Sequence, residues 1–116
     1  MRWRVQVAMS DDITGWKPKL WAGDRRTTLV LEGDTPIEVA EAAWRVGNRM
    51  GADADGREWS SDVRSMCVGD VVMMRPEWGN EVEGAALQVQ GAGWSEAPDM
   101  DIRWSAEGLR EIGAAR

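Results

Sequence analysis

A chain of 116 residues with 43% apolar and 29% charged residues is long enough for one globular domain with a real core. It has no histidine, tyrosine or phenylalanine, and all eight of its aromatic residues are tryptophan, which excludes Ser-His-Asp and Cys-His catalysis and histidine-ligated zinc. The net charge of -6 is uneven: residues 1–31 carry about +3 and residues 32–116 about -9, so the bulk of the chain disfavours nonspecific contact with nucleic acid or an anionic membrane.

Other compositional signals narrow the class further. Only two of the 14 basic residues are lysine, Lys17 and Lys19. Little Lys with much Arg, Gly, Ala and Trp matches GC-rich coding, so the tryptophan count alone does not mark a binding site. Cys67 is the single cysteine, which rules out an internal disulfide and suits a reducing cytoplasm. The N-terminus has no continuous apolar run of the signal-peptide kind, and no stretch reaches a membrane span.

Residues 2–9 alternate, with Trp3, Val5, Val7 and Met9 on one face, as in a half-buried strand. Ser10–Asp24 reads as a long loop broken by Gly15, Pro18 and Gly23, and Arg26–Glu32 as a second strand able to form a hairpin with the first. Thr35 as N-cap, Pro36 at N1 and Glu38 at N3 open a helix over Pro36–Met50. Val39, Ala43, Val46 and Met50 form its apolar stripe, and Gly51 stops it. Residues 52–61 form a polar loop. Val63–Val68 and Val71–Arg75 are β-rich runs split by a Gly69-Asp70 turn, with Val68, Val71 and Val72 in the core. After a Pro76–Gly84 loop, Ala85–Gln90 reads as a strand and Met100–Trp104 as a short one. Ser105 caps a terminal helix through Leu109 and Ile112. The expected fold is α+β: an antiparallel sheet of about five strands packed against one main helix, with a short C-terminal helix.

Several motifs invite chemistry. Asp53, Asp55 and Gly56 match part of a calcium loop, but Gly51 at the first ligand position has no side chain and Asp62 at the last is short, so a solvated loop is expected. Cys67 lies in an apolar run without an activating histidine and should be an inert thiol. The carboxylate pairs Glu81/Glu83 and Asp99/Asp101 fit solvated strand faces better than a cleft. Gly91-Ala92-Gly93 lacks the helix and lysine of a phosphate loop. No cofactor or metal is expected.

Two constellations are candidate sites. The N-terminal arm interleaves base with tryptophan: Trp16, Lys17, Lys19 and Trp21, then Arg25 and Arg26. Buried rings would pin a loop there; exposed ones would bind a partner, joined by Trp78 of the Pro76–Gly84 loop. Basic residues beside stacking rings also suit single-stranded nucleic acid. The second constellation is Arg64, Ser65, Gly69 and Asp70, either a polar site or a local turn in which Arg64 pairs with an acid.

The run Glu41-Ala42-Ala43-Trp44-Arg45-Val46-Gly47-Asn48-Arg49, a polar loop, and Arg64-Ser65-Met66-Cys67-Val68-Gly69-Asp70-Val71-Val72 resembles a group of small actinobacterial phage and plasmid proteins. Those carry Arg-x-x-Asn at a helix end, then a segment close to Arg-Ser-x-Ser-Val-Gly-Asp-Val-Val, and often a Gly-Trp pair, here Gly93-Trp94. The likeness spans roughly residues 38–94 and departs at Cys67, where Ser is usual, and in the longer Pro76–Gly84 loop. It implies an accessory protein of a mobile element or phage, brings no accepted catalytic residues and leaves the mechanism open. The Trp-bearing loops make the leading expectation a noncatalytic protein, not attached to a membrane, that binds a host or element-encoded protein. The other readings are a nucleic-acid-binding regulator and an acidic DNA mimic.

Overall fold

The computed structural model describes residues 1–10, 19–22, 24–77, 84–96 and 110–114. It shows an α+β fold, an antiparallel sheet packed against one main helix. The strands are β1 (Arg2–Ser10), β2 (Lys19–Ala22), β3 (Thr28–Glu32), β4 (Val71–Pro76), β5 (Ala85–Val89), β6 (Trp94–Glu96) and β7 (Arg110–Ala114), with helix α1 at Pro36–Gly47. The main ladder runs β6-β5-β4-β1, and β1 uses its other edge twice. Arg2–Gln6 pair there with β3, and Met9 and Ser10 pair with β2, which continues to β7.

Alternation along β1 places Trp3, Val5 and Val7 on the helix side with their ladder neighbours Leu29, Leu31, Val72 and Met74. Val39, Ala40, Ala43 and Val46 of α1 close this core. The buried Trp3 indole donates to the Gly33 carbonyl (2.9 Å), so its one polar group is satisfied where the chain leaves β3. The opposite sheet face is buried too, at Ala8, Leu20, Val71, Met73 and Ala86. There the Gln6 amide donates to Thr27 Oγ1 (2.6 Å) and accepts from the Thr28 hydroxyl (2.8 Å). A buried amide would be costly without those partners.

The start of α1 follows its sequence signature. Thr35 Oγ1 accepts from the Glu38 N–H (3.3 Å), and the Glu38 carboxylate accepts from the Asp34 N–H (2.7 Å), one residue before the N-cap. The end differs. The helix stops at Gly47, Asn48 caps it, and Arg49 adopts φ 62°, so Met50 is exposed rather than part of the apolar stripe. Glycine is the usual residue at this left-handed position. Arg49 is held there by its side chain, which donates to Ser65 Oγ (2.6 Å) and to the carbonyls of Val63 (2.6 Å) and Ser60 (3.3 Å).

Gly47 is required for a different reason. A Cβ there would overlap Met66 Cγ and Sδ, which plug the core beneath the helix end. Gly47→Ala is expected to cost about 1–3 kcal/mol through overpacking, outweighing the roughly 1 kcal/mol that alanine gains over glycine in a helix. Chemical denaturation checks the sign, and when Gly47→Ala is introduced into a Met66→Ala background its own cost should largely disappear.

Further expectations are corrected. The Ser10–Asp24 stretch contains strand β2, and the strand expected from Arg26 starts at Thr28 after a 3-10 turn at Arg25–Thr27. Val63–Val68 is irregular and Val68 is 48% exposed, because this segment crosses the end of α1 instead of joining the sheet. Trp94–Glu96 is a strand on β5. Arg110–Ala114 is a strand on β2, not the end of a helix. The expected strand Met100–Trp104 and the Ser105 cap lie outside the described residues. Among the described residues no helix is long and apolar enough to cross a membrane.

Candidate functional site

The 23 residues from Asn48 to Asp70 form a strap from α1 to β4 with no helix or strand of its own. It delivers Trp59, Val63 and Met66 into the core and is pinned at both ends by charged side chains. Arg49 is the first pin. The second is the Arg64–Asp70 pair, whose acidic member is fully buried.

Asp70 enters this position through a tight turn. Gly69 at φ 98° lets the chain reverse, and the Asp70 N–H returns to the Cys67 carbonyl (3.2 Å). One carboxylate oxygen accepts from the Ser10 N–H (2.8 Å) and from Arg64 Nη2 (2.8 Å). The other accepts from the Cys67 N–H (2.9 Å) and Arg64 Nη1 (2.9 Å). Arg64 also donates to the carbonyls of Ser10 (2.6 Å) and Ser65 (3.0 Å) and to Cys67 Sγ (3.1 Å). A carboxylate has about four acceptor sites, and Asp70 uses four. The guanidinium fork and the carboxylate thus join β1, the strap and β4 at one point.

The electrostatics agree with a structural role. The hydrogen bond to Asp70 raises the Arg64 pKa above its ordinary value against the opposing effect of burial, so the cation is held. Burial, helped by the negative charge of Asp70, pushes the Cys67 thiol up despite Arg64. A raised thiol pKa leaves little thiolate at neutral pH. Ser65 turns its hydroxyl to Arg49 rather than to its own backbone, linking the two pins.

The Asp53 loop is not simply solvated. Asp53 is buried, and its carboxylate accepts from the N–H groups of Asp55 (3.0 Å), Arg57 (2.8 Å) and Val30 (3.0 Å). Those donors face the oxygens a cation would need. Among the described residues no group of three or more acidic or cysteine side chains could hold a metal ion.

Only part of the tryptophan–arginine constellation falls within the described residues. Trp16, Lys17 and Trp78 lie outside the described residues. Lys19 opens β2, and Trp21 sits half-buried on that strand, opposite Met9 on one side and Glu111 on the other. Arg25 and Arg26 are exposed in the 3-10 turn that follows. Arg26 forks onto the Asp24 carboxylate (2.7 and 3.0 Å), and this bond holds the Asp24 pKa below its usual range. Sequence reasoning missed Arg49 and Asp53 as anchors. The Asx-turn pattern of Asp53-Ala54-Asp55-Gly56 was a usable signal for the second; nothing local marks the first.

Compared with family models, curated proteins and solved structures, the chain finds no match.

Proposed function

We propose that this chain is a noncatalytic accessory protein of a phage or mobile element that binds a host or element-encoded protein. The observation that carries the reading is the surface at β2 and the turn after it. Trp21 is half-exposed on a strand fixed by ladders on both sides, and the exposed Arg25 and Arg26 follow within a few residues. Tryptophan and arginine dominate interface hot spots, and a ring or guanidinium already held in place loses less entropy on binding. Support for the noncatalytic part comes from the Arg64–Asp70 group, whose acceptor sites are spent on backbone and on each other.

Trp21→Ala and Arg25→Ala should each weaken the partner complex by more than about 1 kcal/mol while leaving the circular dichroism unchanged. Calorimetric titration of the partner, obtained by affinity capture on the wild-type chain, is the measurement. Wild-type affinity in both variants would remove this surface.

A second reading, binding of single-stranded nucleic acid, gains one observation. Arg4 and Arg75 stand directly opposite each other on the β1–β4 ladder, both exposed. Binding of that kind falls steeply with salt. A gel-shift series without retention at low ionic strength would eliminate it.

A further inference from the structure

Among the described residues, strand β3 pairs with β1 along one edge only. On its other edge, the outward backbone groups of Thr28 and Val30 are all occupied without a strand. The Val30 N–H donates to Asp53 Oδ2 (3.0 Å), and the Val30 carbonyl accepts from the Ala54 N–H (2.8 Å). The Thr28 carbonyl accepts from the Arg57 guanidinium (2.9 Å), and the Thr28 N–H bonds to the Arg25 carbonyl. The segment that does this is stiffened from within. The Asp53 N–H donates to the Arg57 carbonyl (2.8 Å), the Gly56 N–H donates to the Asp53 carbonyl (3.0 Å), and Arg2 grips the Asp55 carboxylate from β1. A bare strand edge is a template for another strand, and proteins cover such edges.

We propose that residues 53–57 are a guard on β3, and that displacing them opens a docking edge for β3 of a second copy of this chain. The proposal is separate from the Trp21 surface. The occupant follows from the sequence of β3, Thr28-Leu29-Val30-Leu31-Glu32, which is self-complementary about its centre. With Val30 opposite Val30 in an antiparallel pair, Thr28 meets Glu32 and Leu29 meets Leu31. No like charges face each other in that register. The leucines of both copies stay on the helix side and extend one apolar face. The central valines would exchange the same two backbone bonds that Asp53 and Ala54 satisfy in the single chain. The contact is isologous, so it closes as a dimer instead of growing into a fibre.

The test is sedimentation velocity on Asp53→Ala over a concentration series, with hydrogen exchange read at the Val30 amide. The expected result is a doubling of mass as concentration rises, with the Val30 amide protected in the dimer and unprotected on dilution. Val30→Lys in the Asp53→Ala background should restore the single chain. A folded Asp53→Ala that keeps monomer mass throughout overturns the proposal, as does association that Val30→Lys leaves intact. Should Asp53→Ala lose its native circular dichroism, Ala54→Pro with Arg57→Ala removes two donors while sparing the carboxylate. Unchanged mass in that folded variant is equally decisive against the guard.

Discussion

Replacing Arg64 by methionine is expected to lower the free energy of unfolding by about 3–5 kcal/mol, the usual cost of stripping a buried ion of its partner. Methionine fills much of the space of the arginine stem, so the change removes chiefly the guanidinium. Asp70 would remain fully buried with only the N–H groups of Ser10 and Cys67 to stabilise its charge. The carbonyls of Ser10 and Ser65 would lose a donor as well. Arg64→Lys should fall between the two, because an ammonium restores the charge but cannot reproduce the two-pronged contact with Asp70. Urea denaturation reads this as a fall in midpoint at constant slope. A loss under about 1 kcal/mol for Arg64→Met would show that the pair does not anchor the strap. Since the group is structural, partner affinity per folded molecule should stay at the wild-type value.

Truncating Trp59 to alanine should cost a similar amount, about 3–5 kcal/mol, as buried tryptophans do. The ring is 5% exposed and is the only aromatic side chain that the strap contributes to the core. Its indole N–H donates to the Arg64 carbonyl (2.9 Å), so it also fixes the residue that grips Asp70. Two effects can therefore be separated. Trp59→Phe keeps most of the packing but orphans that carbonyl, and should lose only about 1–3 kcal/mol. Trp59→Ala leaves a cavity in addition. Because Trp59 and Arg64 share an atom-level contact, the double variant Trp59→Ala/Arg64→Met should lose less than the two single losses combined. Full additivity would argue that the indole and the ion pair stabilise unconnected regions, and a Trp59→Ala chain as stable as wild type would place the ring outside the core.

The sequence was most legible where short-range chemistry decides the structure. Thr35, Pro36 and Glu38 mark the start of α1 by themselves, and the alternation of Trp3, Val5 and Val7 marks β1 and its buried face. Gly69-Asp70 reads as a turn and forms one. Legibility failed where distant partners decide. Lys19–Ala22 has breakers on both sides and becomes strand through its ladders to β1 and β7. Val63–Val68 has strand-like composition, but the Arg49 side chain takes up the carbonyls of Ser60 and Val63. For the candidate site, pairing of Arg64 with an acid was readable, and Asp70 is that acid. The burial of Asp53 was not, because an acidic, glycine-containing loop has the composition of a solvated one and its target is a backbone N–H some twenty residues earlier.

The central place of β1 bears on how fast this chain can fold. Val5 pairs with the nearby Leu29 on one edge and with the remote Met74 on the other, and Asp70 must find the backbone of Ser10. A nucleus of β1, β3 and α1 can assemble from the contiguous residues 2–47, about two fifths of the chain. Closing β4 onto it has to wait for a large loop to be brought in, at an entropic penalty that precedes any reward from the ladder. Folds dominated by such long-range pairings reach the native state in milliseconds to seconds rather than microseconds. Throughout that interval the unclosed edge of β1 stands open, and it is then, more than in the finished molecule, that this protein is vulnerable to aggregation.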